Sequence, residues 1–338
     1  MSALSICHDK GLTVSCVVRH TRSRRVCHDI YTAQKREDPV STTLEPQGQA
    51  PLRIAGAPIS WGVCEVPGWG YQMPADRVLT EMQSLGLGAT EFGPDGFLPT
   101  DPAEKAAFLE GFGLQAVGGF LPVVLHDPAH DPLTDVDPFI DACLASGAGV
   151  VVLAASTGAD GYDARPVLDE LQWKTLLANL DRIADHAESR GVVAAIHPHI
   201  GTLVENADDV QRVLEGSHVG LCVDTGHLAA AGADPVAITL ANLDRVKHVH
   251  LKDVDAAAAA KVVSGEVAFA DAVAAGMWQV LGQGDVDIRA MIDALRSHGY
   301  DGWYVLEQDV MFKDGAPQGE GPVADVRSCL DFVKDALA

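Results

Sequence analysis

No apolar run in this chain approaches the roughly 20 residues a helix needs to cross a bilayer, so no membrane-spanning role is expected. A basic surplus is missing as well: 24 Lys and Arg stand against 47 Asp and Glu, for a formal net charge of −23. Nucleic acid and anionic membranes are therefore not expected as partners, because both demand a basic footprint. The cysteines form no framework. There are seven (Cys7, Cys16, Cys27, Cys64, Cys143, Cys222 and Cys329), scattered and odd in number, a usage that points to a reducing cytoplasm. Finally, no GxGxxG or GxxxxGK[ST] follows the first predicted strand, which ranks an open, nucleotide-binding sheet below the alternative developed next.

What is present is an ordinary globular balance, 47% hydrophobic and 21% charged over 338 residues, ample for a full core. A small neutral or metal-bound substrate fits the charge, and a homo-oligomer is compatible with it. Residues 1–50 differ from the rest, with seven Lys/Arg against five Asp/Glu compared with 17 against 42 afterwards. They read as a disordered leader without helical or strand periodicity. Their basic residues are not followed by the apolar core of a secretory signal. Cys7-His8, Cys16, His20 and Cys27-His28 lack zinc-binding spacings, so no metal site is expected there.

From Leu52 short apolar runs alternate with amphipathic stretches, the pattern of repeated βα units. Strands are predicted over Arg53–Ala57, Ala89–Phe92, Leu114–Phe120, Val150–Ala154, Val192–His197, Val219–Val223, Lys247–Leu251 and Trp303–Leu306. Helices are predicted over Ala75–Leu85, Pro102–Gly111, Pro132–Ser146, Pro166–Arg190, Asn206–Glu215, Pro235–Leu243, Ile288–His298 and Pro322–Leu337. Eight of each over about 285 residues is the count of a single (β/α)8 TIM barrel spanning residues 51–338. About 50 residues separate the seventh and eighth strands, an extended insertion expected to form a lid or substrate wall.

In such a barrel the C-terminal strand ends form the working face. The polar residues predicted there are Glu91; His197 and His199; Asp224 and His227; His250, Lys252 and Asp253; and Glu307, Gln308 and Asp309. On strands six to eight, carboxylate, imidazole and carboxylate can surround one divalent ion, and this ligation suits Mn2+, Co2+ or Zn2+. His248 shares a face with His250, which lies nearer the strand end. Asp253 reads as a loop cap rather than a catalytic group. His126 and His130 read as surface residues, and Cys64 and Cys222 as small hydrophobes. Trp61, Trp69 and Tyr71 could wall a polyol pocket or simply pack their loop.

The segments APISW from Ala57, TEFGPDGFLP from Thr90, HPHIGTLVEN from His197, VDTGHLAAAGADP from Val223, VKHVHLKDVD from Val246, ADAVAAGMWQVLGQGDVD from Ala270 and GWYVLEQD from Gly302 together resemble the xylose-isomerase-like barrel superfamily of sugar-phosphate isomerases and epimerases. The resemblance covers about residues 52–335 and is strongest to the inosose dehydratase branch. It implies one divalent ion, Mn2+ or Co2+ with Zn2+ or Mg2+ as alternatives, held by four residues in the order Glu, Asp, His, Glu. Asp224, His250 and Glu307 match the last three. His197 stands where the epimerases place Glu, within an HxHxGT motif like that of the dehydratases. The resemblance then implies dehydration of 2-keto-myo-inositol or a related keto-polyol, by α-proton abstraction, enediolate stabilisation and loss of the β-hydroxyl. His199, His227 and Lys252 are candidates for acid and base, and Glu91 for the same or for binding a substrate hydroxyl. A keto-sugar isomerase or epimerase on the same metal site, and a non-catalytic polyol-binding barrel, are the competing readings.

Overall fold

The computed structural model describes residues 53–337; the predicted leader and its Cys/His pairs lie outside them. Ten strands occur in chain order: β1 (Ile54–Gly56), β2 (Ala89–Glu91), β3 (Gln115–Val124), β4 (Val150–Ser156), β5 (Val193–Ile196), β6 (Gly220–Asp224), β7 (Val246–Leu251), β8 (Asp253–Val254), β9 (Trp278–Gln279) and β10 (Tyr304–Leu306). Eight of them close into a barrel in the order β1-β10-β7-β6-β5-β4-β3-β2, and all eight pairings are parallel. This is the predicted (β/α)8 TIM barrel, with each predicted strand in place. Runs such as Val-Val-Val-Leu in β4 are buried on both faces, as parallel strands between a filled barrel and a helical shell must be. No helix among the described residues is long and apolar enough to cross a membrane.

The helices start where the sequence supplies caps. Asp101, Asp234 and Asp287 each accept a backbone N–H of the first turn, and Asn206 forms a capping box with Asp209, satisfying donors the helix leaves unpaired. Most boundaries shift by a residue or two and two shift by four: β3 runs to Val124, past its predicted end at Phe120, and one helix starts late. The helix predicted from Pro166 begins at Glu170, because Asp169 and Gln172 form a reciprocal capping box that defines the start more strongly than the proline does. Unpredicted features include a short helix Thr225–Ala230 directly after β6, two short helices after β8, and an antiparallel pairing of β8 with β9.

The stretch between β7 and β10 carries two short helices, Ala256–Val263 and Phe269–Ala274, before the barrel helix Ile288–His298. One side chain joins its beginning to its end. Asp253 is fully buried, and its carboxylate accepts the backbone N–H groups of Val254, Gly282, Gly284 and Val286 at 2.9–3.1 Å. Gly284 is required by that approach: a Cβ there would lie 2.3 Å from Asp253 Oδ1. Asp253 thus caps a loop, as its sequence position suggests. Asp253→Ala strips the acceptor from four N–H groups and is expected to cost about 3–5 kcal/mol. Urea unfolding would show this as a lowered midpoint, and an unchanged midpoint would mean the loop is held otherwise.

Candidate active site

Neighbouring strands deliver the polar residues in register. Asp224, the last residue of β6, is the cross-strand partner of His250 on β7, which also pairs with Val305 of β10. His197 follows β5, Lys252 follows β7 and Glu307 follows β10. Asp224 caps the short helix, its Oδ1 accepting the His227 N–H at 2.7 Å. That leaves Oδ2 aimed inward.

Among the buried atoms that lack a well-formed hydrogen bond, His197 Nε2, Asp224 Oδ2, His250 Nδ1 and Glu307 Oε2 lie together at the strand ends. Asp224 Oδ2 lies 3.6 Å from His197 Nε2 and 3.8 Å from His250 Nδ1, and Glu307 Oε2 lies against His250 Nδ1. Asp224, His250 and Glu307 each offer a ligand atom within 4.8 Å of the others, and His197 joins Asp224 and His227 in an overlapping group. Buried polar atoms are ordinarily satisfied, so this convergence is what a divalent cation would complete, and the donor set fits one. Of the four residues implied by the sequence resemblance, Asp224, His250 and Glu307 share one group, and His197 stands beside Asp224 in a second that also takes in His227.

The other candidates sort themselves by partner. Glu91 Oε1 accepts from both His248 Nε2 and His250 Nε2, at 2.8 and 2.9 Å. It therefore turns the Nδ1 face of His250 toward Asp224 and Glu307, the role a carboxylate behind a metal-ligating imidazole performs. Burial works to raise the Glu91 carboxyl, but His250 and His248 hold it down at about 2. Burial likewise opposes charge on His250, yet Cys222, Glu307 and Glu91 hold its pKa well above the usual value; a metal ion binding there would displace that proton.

Lys252 is completely buried. Its Nζ lies 2.7 Å from Asp309 Oδ1, 3.2 Å from Glu307 Oε1 and 3.5 Å from Asp224 Oδ2, with His227 Nε2 at 2.8 Å. The Trp278 ring lies beneath it at 5.0 Å. Burial would strip its proton, but Asp224, Asp309 and Glu307 outweigh that and raise its pKa. Burial pushes Asp224 up to about 6 and Asp309 up to about 7 against the pull of Lys252. Burial, with the Lys252 charge behind it, holds His199 down at about 3. His199 Nδ1 donates to the Ile200 carbonyl at 2.6 Å, which leaves Nε2 with a free lone pair.

A cavity of about 640 Å3 opens over this cluster, walled near the strand ends by Glu91, His199, Glu307 and Asp309. Sequence reasoning gave no role to Tyr162, whose ring packs 4.2 Å from that of His199 and whose hydroxyl donates to Glu65; a lone loop tyrosine carries no spacing that would reveal this. Trp69 lines the cavity, whereas Trp61 lies in the core with its Nε1–H on Glu81 and Tyr71 is exposed. His130 pairs with Asp135 at 2.6 Å. Cys222 is buried between His197 and His250, and Cys64 is half-buried.

The chain matches the family model of the xylose isomerase-like TIM barrel over residues 79–332, and it belongs to that family. It is 33% identical over 274 residues to the rhizopine catabolism protein MocC of Rhizobium meliloti, covering 76% of this chain and 82% of the relative. It is 30% identical over 268 residues to the inosose dehydratase of Geobacillus thermodenitrificans, covering 76% and 90%. Among solved structures, an L-ribulose 3-epimerase superposes with a TM-score of 0.61 at 16% identity over 85% of this chain and 94% of that one. The IOLI protein with a binding zinc atom superposes at 0.60 and 15%, over 85% and 98%. At these identities the solved structures speak to the fold alone.

Glu91→Gln retains the size of the side chain but loses the charge that holds two imidazoles. It is expected to weaken divalent-metal affinity about 10–100-fold, measured by metal titration of the apoprotein. Unchanged affinity would show that His250 needs no such support.

Proposed function

We propose that this member of the xylose isomerase-like TIM barrel family is a metal-dependent hydro-lyase that removes water from 2-keto-myo-inositol or a closely related keto-polyol. One observation carries the reading: the unsatisfied, buried atoms of His197, Asp224, His250 and Glu307 sit beside a cavity into which His199 offers a free ring nitrogen. The substrate class is supported by the relatives named inosose dehydratase, of which the chain spans about nine-tenths.

Bound by those four side chains, a divalent ion would act as a Lewis acid toward the ketone oxygen; Mn2+ or Co2+ suits two imidazoles and two carboxylates, with Zn2+ or Mg2+ as alternatives. The protein's own groups move the protons. His199 Nε2 takes the proton from the carbon beside the ketone. Asp309, which lines the cavity and is ion-paired with Lys252, hands a proton from that pair to the departing hydroxyl. The C–H electron pair becomes the new C=C bond, the C–O bond breaks, and water leaves. His227 holds the Lys252 ammonium, and Glu91 holds His250. The cavity lining includes one lysine, Lys105, and no arginine, a poor clamp for a phosphate. An unphosphorylated substrate therefore fits better than a sugar phosphate.

Metal-loaded protein incubated with 2-keto-myo-inositol is expected to develop the ultraviolet absorbance of a conjugated enone-type product. No absorbance, with solvent deuterium appearing in recovered ketone, would replace dehydration by isomerisation or epimerisation on the same site. Asp224→Ala is expected to lose both bound metal, by elemental analysis, and turnover; metal retained at the parent level would refute the ligand set.

A further inference from the structure

The cavity is larger than a single keto-inositol requires, and part of it lies across the mouth from the proposed ion site. Such a ring has about twelve non-hydrogen atoms, and granting each the roughly 30 Å3 that a water molecule takes in the liquid, it fills at most about 360 Å3 of the 640 Å3 present. In the closed strand order, β2 and β3 stand diametrically across from β6 and β7, the strands that carry Asp224 and His250. The cavity runs across the mouth to that far side. Its floor there is Phe92, just after β2, and Phe139, on the helix Leu133–Ser146, their rings meeting edge-on at 5.4 Å.

Above this floor stands Lys105, on the helix Pro102–Gly111. Its ammonium lies 4.7 Å over the Phe92 ring, and among the described residues no hydrogen bond or ion pair within 4.0 Å engages it. Burial pulls its pKa below the usual value, and the nearby Asp95 pulls the other way. An aromatic floor takes the apolar face of a ring well and water poorly. A donor-only ammonium with no partner of its own calls for hydroxyl or ether oxygens. One lysine offset by Asp95 does not call for an anion.

We propose that this far side is a second subsite, and that the substrate is a two-ring compound in which an uncharged, polyhydroxylated ring is joined to the keto-polyol through an ether-type oxygen. This rests on the keto-polyol reading of the metal side, which the dehydration assay tests separately. The subsite is tested by calorimetry on the metal-loaded protein with two unreactive probes, myo-inositol and O-galactosyl-myo-inositol. The galactosyl compound is expected to bind at least about tenfold more tightly. Lys105→Ala, and Thr134→Trp at an exposed position lining the same side, should each remove most of that gain and leave myo-inositol binding within about twofold. Equal affinities, a preference for myo-inositol, no binding of either probe, or a gain that survives both substitutions would overturn the subsite. Turnover of 2-keto-myo-inositol alongside any of these results would leave the first reading intact.

Discussion

The ammonium of Lys252 is the charge on which the mouth of this barrel depends. Asp224, Glu307 and Asp309 converge on it within 3.5 Å in a buried space at the floor of the cavity, where three carboxylates without a counter-charge would repel one another severely. Its backbone is fixed as tightly as its head. Thr225 Oγ1 donates to the Lys252 carbonyl at 2.6 Å and accepts the Lys252 N–H at 2.9 Å. The stem crosses so close to Gly226 that a Cβ there would meet Lys252 Cγ at 2.5 Å. The Asp-Thr-Gly-His and His-Leu-Lys-Asp stretches are therefore two halves of one interlock: the glycine admits the lysine stem, the threonine locks its backbone, and the aspartate and histidine meet its ammonium.

The loops over the site are joined to one another rather than to the barrel alone. Asp163 accepts the backbone N–H of Phe269 at 2.7 Å, linking the loop after β4 to the stretch between β7 and β10. Tyr162 bonds Glu65 of the first loop, and Trp69 of that loop packs 6.1 Å from the Phe269 ring. Three segments thus build one wall around His199 and His227, both in ring contact with Phe269. A wall of this kind keeps bulk water from the proton-transfer groups and strengthens every charge interaction inside.

Much of this was legible in the sequence because the barrel repeats. Short continuous apolar runs, helix caps and terminal glycines are local signals, and they recover eight strands and eight helices with small boundary shifts. The residues at the strand ends follow from the fold, since parallel strands must all finish on one face. What the sequence did not disclose is pairing over distance. Glu91 and His250 are separated by 159 positions along the chain, so nothing local distinguishes a carboxylate that orients an imidazole from one that meets substrate. The same holds for Tyr162 and Glu65, and for Asp309, whose proximity to Lys252 depends on how the chain turns after β10. The short helix after β6 was missed because Asp224 serves at once as strand end, helix cap and candidate ligand.

His197 decides between the chemistries this scaffold could support. In the proposed lyase, a neutral imidazole replaces the carboxylate that the resemblance assigns to epimerases, with two consequences. A cation held by two imidazoles and two carboxylates would keep one more unit of positive charge than one held by three carboxylates and one imidazole, and so would supply stronger Lewis acidity. The second base of the epimerases would also be withdrawn, because His197, whose Nε2 lies 3.6 Å from Asp224 Oδ2, would spend its lone pair on the ion and leave His199 as the base on the β5 side. Epimerisation needs a second group to return the proton on the opposite face. Dehydration needs only one base and an acid beside the departing hydroxyl, the roles proposed for His199 and the Lys252–Asp309 pair. In the proposed reaction, an imidazole in place of a carboxylate at one strand end would thus shift the balance from replacing a proton to expelling water, with the barrel and the other three proposed ligands retained.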